Sequence, residues 1–218
     1  MFSQLGDVLN YKFKSTLGLG LSEDNLKFLA EKAFRNLNLE DWKNQRLSWS
    51  LFNNPKDPLP GRDFTFWEWV YALLIFLREE QLRALWREGY VMGFVWRRQA
   101  EELLLNSPIG TFLLRFSDSE LGAITVAGVG QGLGGVAETF MLQPFTSEIL
   151  KMESISDRIN DLKQLTHLYP NIPKDTAFSK YYTIGGKKKV KDDYVKIRNV
   201  TQIDGFVYIY ILDKFFEN

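Results

Sequence analysis

An arginine interrupts the most strand-like stretch of this sequence. Arg115 stands inside the run GTFLLRFSDSELGAITVA, residues 110–127, with apolar neighbours on both sides. Side chains alternate between the two faces of a strand, so Arg115 shares a face with Leu113 and Ser117. The opposite face carries Phe112, Leu114 and Phe116. Because a guanidinium stays charged at ordinary pH, burying it requires either an internal carboxylate or an anionic ligand.

Both solutions have candidates close by in the sequence. Asp118 and Glu120 are carboxylates that could form a structural ion pair with Arg115. Hydroxyl and further guanidinium groups are also near: Ser117, Ser119, Arg97 and Arg98. Two guanidinium groups, hydroxyls and turn N–H groups suit a phosphate, since an arginine fork makes paired charge-assisted hydrogen bonds. From the residues alone, the ion pair and the phosphate site are both open.

Composition excludes several kinds of protein. The chain of 218 residues has no cysteine, which excludes disulfides, cysteine-ligated zinc and thiol catalysis. A single histidine, His167, argues against a histidine-rich metal site or a Ser–His triad, and we expect it to be exposed late in a helix. The formal net charge is zero, so an anion site must be local rather than part of a basic surface. We expect no enzyme, no metal centre and no cofactor.

Two further patterns have simple structural interpretations. GQGLGG, residues 130–135, fits a dinucleotide-binding pattern, but a strand rather than a helix is expected after it. We therefore interpret it as a hairpin loop. The apolar run Phe66–Leu77 contains Glu68 and is too short to span a bilayer, so it predicts a core helix and no membrane insertion.

The order of elements predicts an α+β fold. Residues 1–89 are expected to be helical, with Ser22 capping one helix and a second helical stretch over 65–88. A short helix over 97–105, three strands and a helix over 154–170 follow, the last capped by Ser154 with Asp157. This order predicts a small antiparallel sheet flanked by helices in residues 90–183. Residues 184–218 are expected to be a flexible tail.

Several segments together resemble the signal transducer and activator of transcription (STAT) family. The run around Arg115 resembles the phosphotyrosine-binding strand of the family's SH2 domain. FTFWEWVYALLIFL and LRALWREGYVMGF are similar to the family's linker domain where it enters that SH2 domain. LYPNIPKDTAFSKYY resembles the end of the SH2 domain, and DDYVK resembles the tail tyrosine that becomes phosphorylated. The resemblance implies a helical linker domain over 1–89 and an SH2 domain over 90–183.

The resemblance also implies roles for individual residues. Arg115 matches the arginine that binds the phosphate, and Ser117 and Ser119 match hydroxyls of the phosphate loop. Asp118 would contribute its backbone N–H, and Arg97 stands where the family commonly has lysine. Tyr194 matches the tail phosphotyrosine. The residues that a partner reads after it would be Val195, Lys196 and Ile197.

The implied function is phosphotyrosine-dependent signalling. The SH2 pocket would bind phosphotyrosine peptides of receptors or kinases and, reciprocally, the phosphorylated tail of another STAT-like chain. Such a chain would be cytoplasmic and would move to the nucleus when phosphorylated and dimeric. It would contact DNA only through domains for which this sequence has no room. The alternative is an SH2 adaptor, or a truncated competitor, that neither dimerises nor binds DNA. The apolar stretch Phe206–Phe216 lies outside the resemblance.

Overall fold

The computed structural model describes residues 1–48, 57–132 and 135–183. The expected tail, with Tyr194, Val195, Lys196, Ile197 and the apolar stretch Phe206–Phe216, lies outside the described residues.

The first half of the chain is helical, as its sequence predicts. Its helices are α1 (Phe2–Leu17), α2 (Glu23–Phe34), α3 (Phe66–Phe76) and α4 (Glu80–Arg87). The predicted cap of α2 is confirmed, because Ser22 Oγ accepts a hydrogen bond from the backbone N–H of Asn25 at 3.2 Å. The stretch expected as one helix over 65–88 is two helices. The carboxylate of Glu79 accepts from the backbone N–H of Leu82 at 2.9 Å and so begins a new helix there.

The second half carries the sheet. Its elements are α5 (Arg97–Leu105), β1 (Thr111–Phe116), β2 (Ala123–Gln131), β3 (Ala137–Met141), β4 (Phe145–Thr146), α6 (Ser147–Met152), α7 (Ile155–Asp161), β5 (His167–Leu168), β6 (Ile172–Pro173) and α8 (Lys174–Phe178). A 3₁₀ turn, Ser179–Tyr181, follows. The strand order is β3-β2-β1-β5-β6, with β4 paired to β2 beside this path. The α+β class and the helix over 97–105 are therefore confirmed.

The sheet is mixed, whereas the sequence predicted an antiparallel one. β1 and β2 are antiparallel, with Arg115 opposite Thr125, and β2 pairs with β3 as a hairpin. β5, however, lies parallel to β1 on its other side, with His167 opposite Thr111. A strand of two residues has too few positions to show alternation, so the sequence pattern did not indicate this pairing.

The helix expected over 154–170 is also shorter than predicted. Ser154 caps α7 as expected, accepting from the backbone N–H of Asp157 at 3.2 Å. The helix ends at Asp161, and the Nζ of Lys174 donates to the carbonyl oxygens of Ile159 and Leu162 at 3.3 and 3.1 Å. These are carbonyls at the C-terminal end of α7, where a cation is favourable. His167 therefore lies half-buried in β5 instead of exposed in a helix.

One hydrophobic core joins the two halves of the chain. Phe13, Phe28 and Trp69 from the helical half lie in the same cluster as Phe94, Phe112, Leu114 and Phe116 from the second half. A smaller cluster lies on the other face of β1, where Leu113 packs with Ala100, Leu104, Ala127, Val129 and Val95. The predicted alternation along β1 is thus confirmed. The face that carries Arg115 is the face covered by α5.

A buried asparagine connects the two halves of the chain by hydrogen bonds. The Nδ2 of Asn25, on α2, donates to the carbonyl oxygens of Met92 and Phe94 at 3.1 and 3.2 Å. Gly93 lies between them with φ +84°, a conformation that favours glycine. A Cβ on Gly93 would approach Asn25 Oδ1 to 2.6 Å, so the close approach also requires glycine. In the described ranges, no helix is both long and apolar enough to cross a membrane.

Candidate functional site

Arg115 is buried near the end of β1. Only 4% of its side chain is exposed. Its Nε donates to the carbonyl oxygen of Val95 at 3.0 Å, just before α5 begins at Arg97. This bond fixes the plane of the guanidinium between β1 and α5, and a fixed plane is what a bidentate acceptor requires.

An internal carboxylate occupies one edge of this guanidinium. The Nη2 of Arg115 donates to Asp118 Oδ1 at 3.0 Å, and 20% of the Asp118 side chain is exposed. Of the two carboxylates considered in the sequence, the structure therefore pairs Arg115 with Asp118. Among the described residues, no acceptor contacts the two Nη1 N–H groups, so the fork keeps donors for a further anion.

A second cation, from the helical half, holds the other oxygen of the same carboxylate. The Nζ of Lys32, on α2, donates to Asp118 Oδ2 at 2.8 Å. Aromatic rings surround this ammonium: its Nζ lies 4.7, 5.7 and 5.9 Å from the ring centroids of Trp96, Phe28 and Trp69. Asp118 thus bridges two cations. The three charges leave one positive charge in excess, which favours an incoming anion.

The two cations decide the ionisation of Asp118. Burial alone raises its pKa, but the charges of Arg115 and Lys32 and their hydrogen bonds lower the pKa to about 2. The carboxylate is therefore ionised at physiological pH. It neutralises part of the positive charge without abolishing it.

The serines lie in the turn that follows β1. Ser117 Oγ accepts from the backbone N–H groups of Ser119 and Glu120, both at 3.2 Å, and it lies 3.2 Å from Ser119 Oγ. Ser117 is buried and Ser119 is exposed. We call residues Ser117–Glu120 the phosphate loop, after the family's loop that they resemble in sequence. Its side chains and N–H groups follow directly on the strand that carries Arg115.

The helical half also fixes the backbone of the phosphate loop. Arg62 Nε donates to the carbonyl oxygen of Asp118 at 2.9 Å. Trp69 Nε1 donates to the carbonyl oxygen of Ser117 at 2.8 Å. These two bonds fix the loop backbone from the side of the helical half.

Arg97 lies at the first turn of α5, where its Nε donates to Glu101 at 2.7 Å. Its neighbour Arg98 makes the equivalent bond with Glu102 at 2.9 Å and is far more exposed. Arg97 also lines a groove of about 570 Å³ between α2 and α5. Phe28 and Trp96, two of the rings around Lys32, line the same groove. The structure thus brings Arg115, Ser117, Asp118 and Ser119 together and places Arg97 beside the adjoining groove.

Two contributors to this site carry no recognisable signal in the sequence. Lys32 is 86 positions before Asp118 and belongs to an ordinary amphipathic helix. The carbonyl of Val95 is a backbone group, which no residue pattern marks. The sequence shows Lys32 only as one polar residue of the amphipathic helix α2. That pattern does not indicate which residue Lys32 contacts.

The geometry defines a class of protein, and comparison with known families agrees. A buried arginine on the central pair of strands, beside a serine-containing turn and a flanking helix, is the arrangement of an SH2 domain. The SH2 domain model matches residues 90–169. The model described as the signal transducer and activator of transcription linker domain matches residues 1–70. These two domains are signalling and binding modules and not enzymes.

One relative extends this similarity across both domains. Signal transducer and activator of transcription 6 of Homo sapiens is 43% identical over 185 residues, which is 83% of this chain. The chain spans 22% of the length of that relative. The chain therefore belongs to the STAT family and carries its linker and SH2 domains. It is a STAT-like signalling module of the phosphotyrosine-binding class.

Proposed function

We propose that Arg115 and the phosphate loop bind the phosphate of a phosphotyrosine. The observation that supports this proposal is the buried guanidinium of Arg115. Its Nε is held by the carbonyl of Val95, and one Nη group is paired with Asp118. In this structure Asp118 Oδ1 accepts from Nη2 of Arg115, a donor that a ligand oxygen would use. A phosphotyrosine would displace it, because the phosphate carries about −1.5 to −2 charge and three strong acceptor oxygens against one charge on a carboxylate.

Each residue then has a distinct task. Arg115 donates to the phosphate through both Nη groups, and Ser119 adds an exposed hydroxyl. Ser117 supports the loop through its bonds to the N–H groups of Ser119 and Glu120. Asp118 contributes its backbone N–H, since its carbonyl is already held by Arg62. Arg97 adds positive charge from the start of α5.

In a dimer, the bound phosphotyrosine would be the phosphorylated Tyr194 of a second copy of this chain. The last described residue before the tail, Thr183, is anchored to α7: Asp157 accepts from its N–H at 2.8 Å and from its hydroxyl at 2.6 Å. Tyr194 follows eleven residues later, so the tail reaches at most about 40 Å from that anchor. Two reciprocal tail contacts would raise avidity roughly 10²–10⁴-fold over one. Val195, Lys196 and Ile197 would then pair with the partner's surface.

Partners and location follow from this binding. Receptor or kinase phosphotyrosine peptides would compete for the same pocket, and a phosphorylated dimer would pass from cytoplasm to nucleus. The adaptor alternative uses the same pocket but gives Tyr194 no role in pairing.

Peptide binding tests the pocket. The probe is a fluorescent peptide of residues 190–200, with and without phosphate on Tyr194, measured by anisotropy. We expect the parent chain to bind only the phosphorylated form. Arg115→Lys keeps a charge but loses the fork, and should weaken binding at least about tenfold. Arg83→Lys, at an exposed position of α4, is the matched control and should leave affinity unchanged. Equal binding of both peptides would refute the pocket.

A separate measurement distinguishes dimer from adaptor. The parent chain and Tyr194→Phe are treated with a tyrosine kinase and their masses are measured by light scattering. The reciprocal model expects a dimer for the phosphorylated parent and a monomer for the variant. A phosphorylated monomer that still binds the peptide would favour the adaptor.

A further inference from the structure

The linker domain supplies a charged residue to the pocket of the SH2 domain. Lys32 on α2 contacts Asp118 Oδ2 at 2.8 Å, while Arg115 contacts Asp118 Oδ1 at 3.0 Å. One carboxylate therefore connects the phosphate-binding arginine to a different domain. This arrangement matters only if the pocket binds phosphate, so the role inferred for Lys32 rests on the proposed function.

Phosphate binding creates a charge problem that the SH2 residues do not solve. A phosphate that takes both Nη groups of Arg115, as proposed above, would displace Asp118 Oδ1, because Asp118 Oδ1 accepts from Nη2. The displaced carboxylate would then be a mostly buried anion next to an anionic ligand. A buried carboxylate that loses its counter-charge is strongly unfavourable, and the nearby phosphate adds repulsion.

Lys32 is placed to solve this problem. Its ammonium already holds Asp118 Oδ2, and only 14% of the Lys32 side chain is exposed. Trp96, Phe28 and Trp69 confine the ammonium between their rings, with the closest centroid at 4.7 Å. A cation confined in this way remains beside Asp118 after Arg115 has left it, and its attraction to the ring faces keeps it there.

We propose that Lys32 is a positioning residue of the phosphotyrosine pocket. It retains the carboxylate of Asp118 when phosphate displaces that carboxylate from Arg115. Lys32 thus acts on the ligand through Asp118 and does not touch the phosphate. Without Lys32, Arg115 is the remaining counter-charge for Asp118 among the described residues. Asp118 then competes more strongly with the phosphate for Arg115.

This role of Lys32 predicts a specific non-additivity in binding. Lys32→Met keeps the length and packing of the side chain among the rings but removes its charge. In the parent background we expect it to weaken binding of the phosphorylated 190–200 peptide about tenfold, a size typical of directly coupled residues. In the Asp118→Asn background no displaced charge needs a partner, so Lys32→Met should weaken binding much less than in the parent background. Asp118→Asn alone should bind at least as tightly as the parent.

Two controls separate this role from a structural one. Lys32→Arg keeps the charge and should retain most of the parent affinity. Lys12→Met removes a lysine from the exposed surface of α1, which does not line the groove beside the site, and should not change affinity. Thermal melting of each variant shows whether it is folded at the assay temperature.

The proposal is tested by the affinities of four proteins: the parent, Lys32→Met, Asp118→Asn and the double variant. A loss in the parent background that is clearly larger than the loss in the Asp118→Asn background supports the proposal. Equal loss in both backgrounds would mean that Lys32 contacts the phosphate directly and would overturn it, as would no loss in either. If the parent chain binds no phosphopeptide, the proposed function itself fails. If the parent binds and Lys32→Met is silent, only this inference fails.

Discussion

The indole Nε1 of Trp69 donates to the carbonyl oxygen of Ser117 at 2.8 Å, which joins a buried helix of the linker to the phosphate loop of the SH2 domain. Trp69 is fully buried, and its ring packs edge-on against Phe94 at 5.2 Å. Together with Arg62 and Lys32, it holds this loop from the linker side. The shape of the pocket is therefore a property of both domains.

Trp69→Phe should lower the free energy of unfolding by about 2–4 kcal/mol. The variant loses a hydrogen bond, leaves the carbonyl of Ser117 buried without that donor, and creates a small cavity. Chemical denaturation measures the change. Tyr71→Phe, on an exposed position of the same helix, is the control and should change stability by less than about 0.5 kcal/mol. A Trp69→Phe chain as stable as the control would show that the bond contributes nothing.

Asn25→Ala should destabilise the chain by about 1–3 kcal/mol, because two carbonyls, of Met92 and Phe94, lose their shared donor at a buried site. The linker and SH2 domains share one core, so we expect a single unfolding transition in both parent and variant. Asn38→Ala, on the exposed surface, is the comparison. Two separate transitions in calorimetry of the parent would contradict a shared core.

Gly93→Ala should be more damaging than Gly89→Ala. Both glycines have positive φ, +84° and +73°, so each substitution introduces a similar backbone strain of about 1–2 kcal/mol. Only at Gly93 would the new Cβ also meet a neighbour, Asn25 Oδ1 at 2.6 Å. The difference between the two melting temperatures measures this contact together with that to the ring of Trp86, which the Cβ would approach to 3.0 Å. Equal melting temperatures would show that α2 can move away from Gly93 at no cost.

The ion pair at Asp118 should make stability depend on acid pH. Its pKa is lowered from 3.8 to about 2, since Arg115 and Lys32 outweigh the effect of burial. The resulting stability, about 2 kcal/mol, is present above about pH 4 and is lost as the pH falls through about 2. Urea denaturation between about pH 5 and pH 2 measures it. The difference between the parent and Asp118→Asn should shrink over this range, while the other carboxylates titrate equally in both. A constant difference would contradict the pairing.

The sequence was informative where the signal was local. Alternation along β1 placed Arg115 on the face away from the main core, and Leu114 and Phe116 on the face toward it. The caps at Ser22 and Ser154 each involve a partner three residues away, so they too were predictable. These features depend on backbone geometry that repeats every two to four residues.

The features that the sequence did not predict depend on contacts distant along the chain or on very short elements. The break at Glu79 falls in a polar run, Arg78–Gln81, whose residues also suit a helix surface, so composition did not indicate it. The apolar spacing of Leu162, Leu165 and Leu168 continues past the end of α7, so periodicity did not indicate that end. Two-residue strands are too short to show a period, which is why the parallel pairing of β5 was not predicted. Lys32 lies 86 residues from Asp118, and only the assembled core brings them together.

The most direct test observes the guanidinium of Arg115 itself. Its Nε–H signal in ¹⁵N NMR spectra is assigned by its disappearance in Arg115→Lys, and phosphotyrosine amino acid is then titrated into the parent chain. We expect that signal to shift and saturate, with no comparable change for Arg98 and none on adding tyrosine. An Arg115 signal that stays in place at saturating phosphotyrosine would contradict the assignment of this pocket.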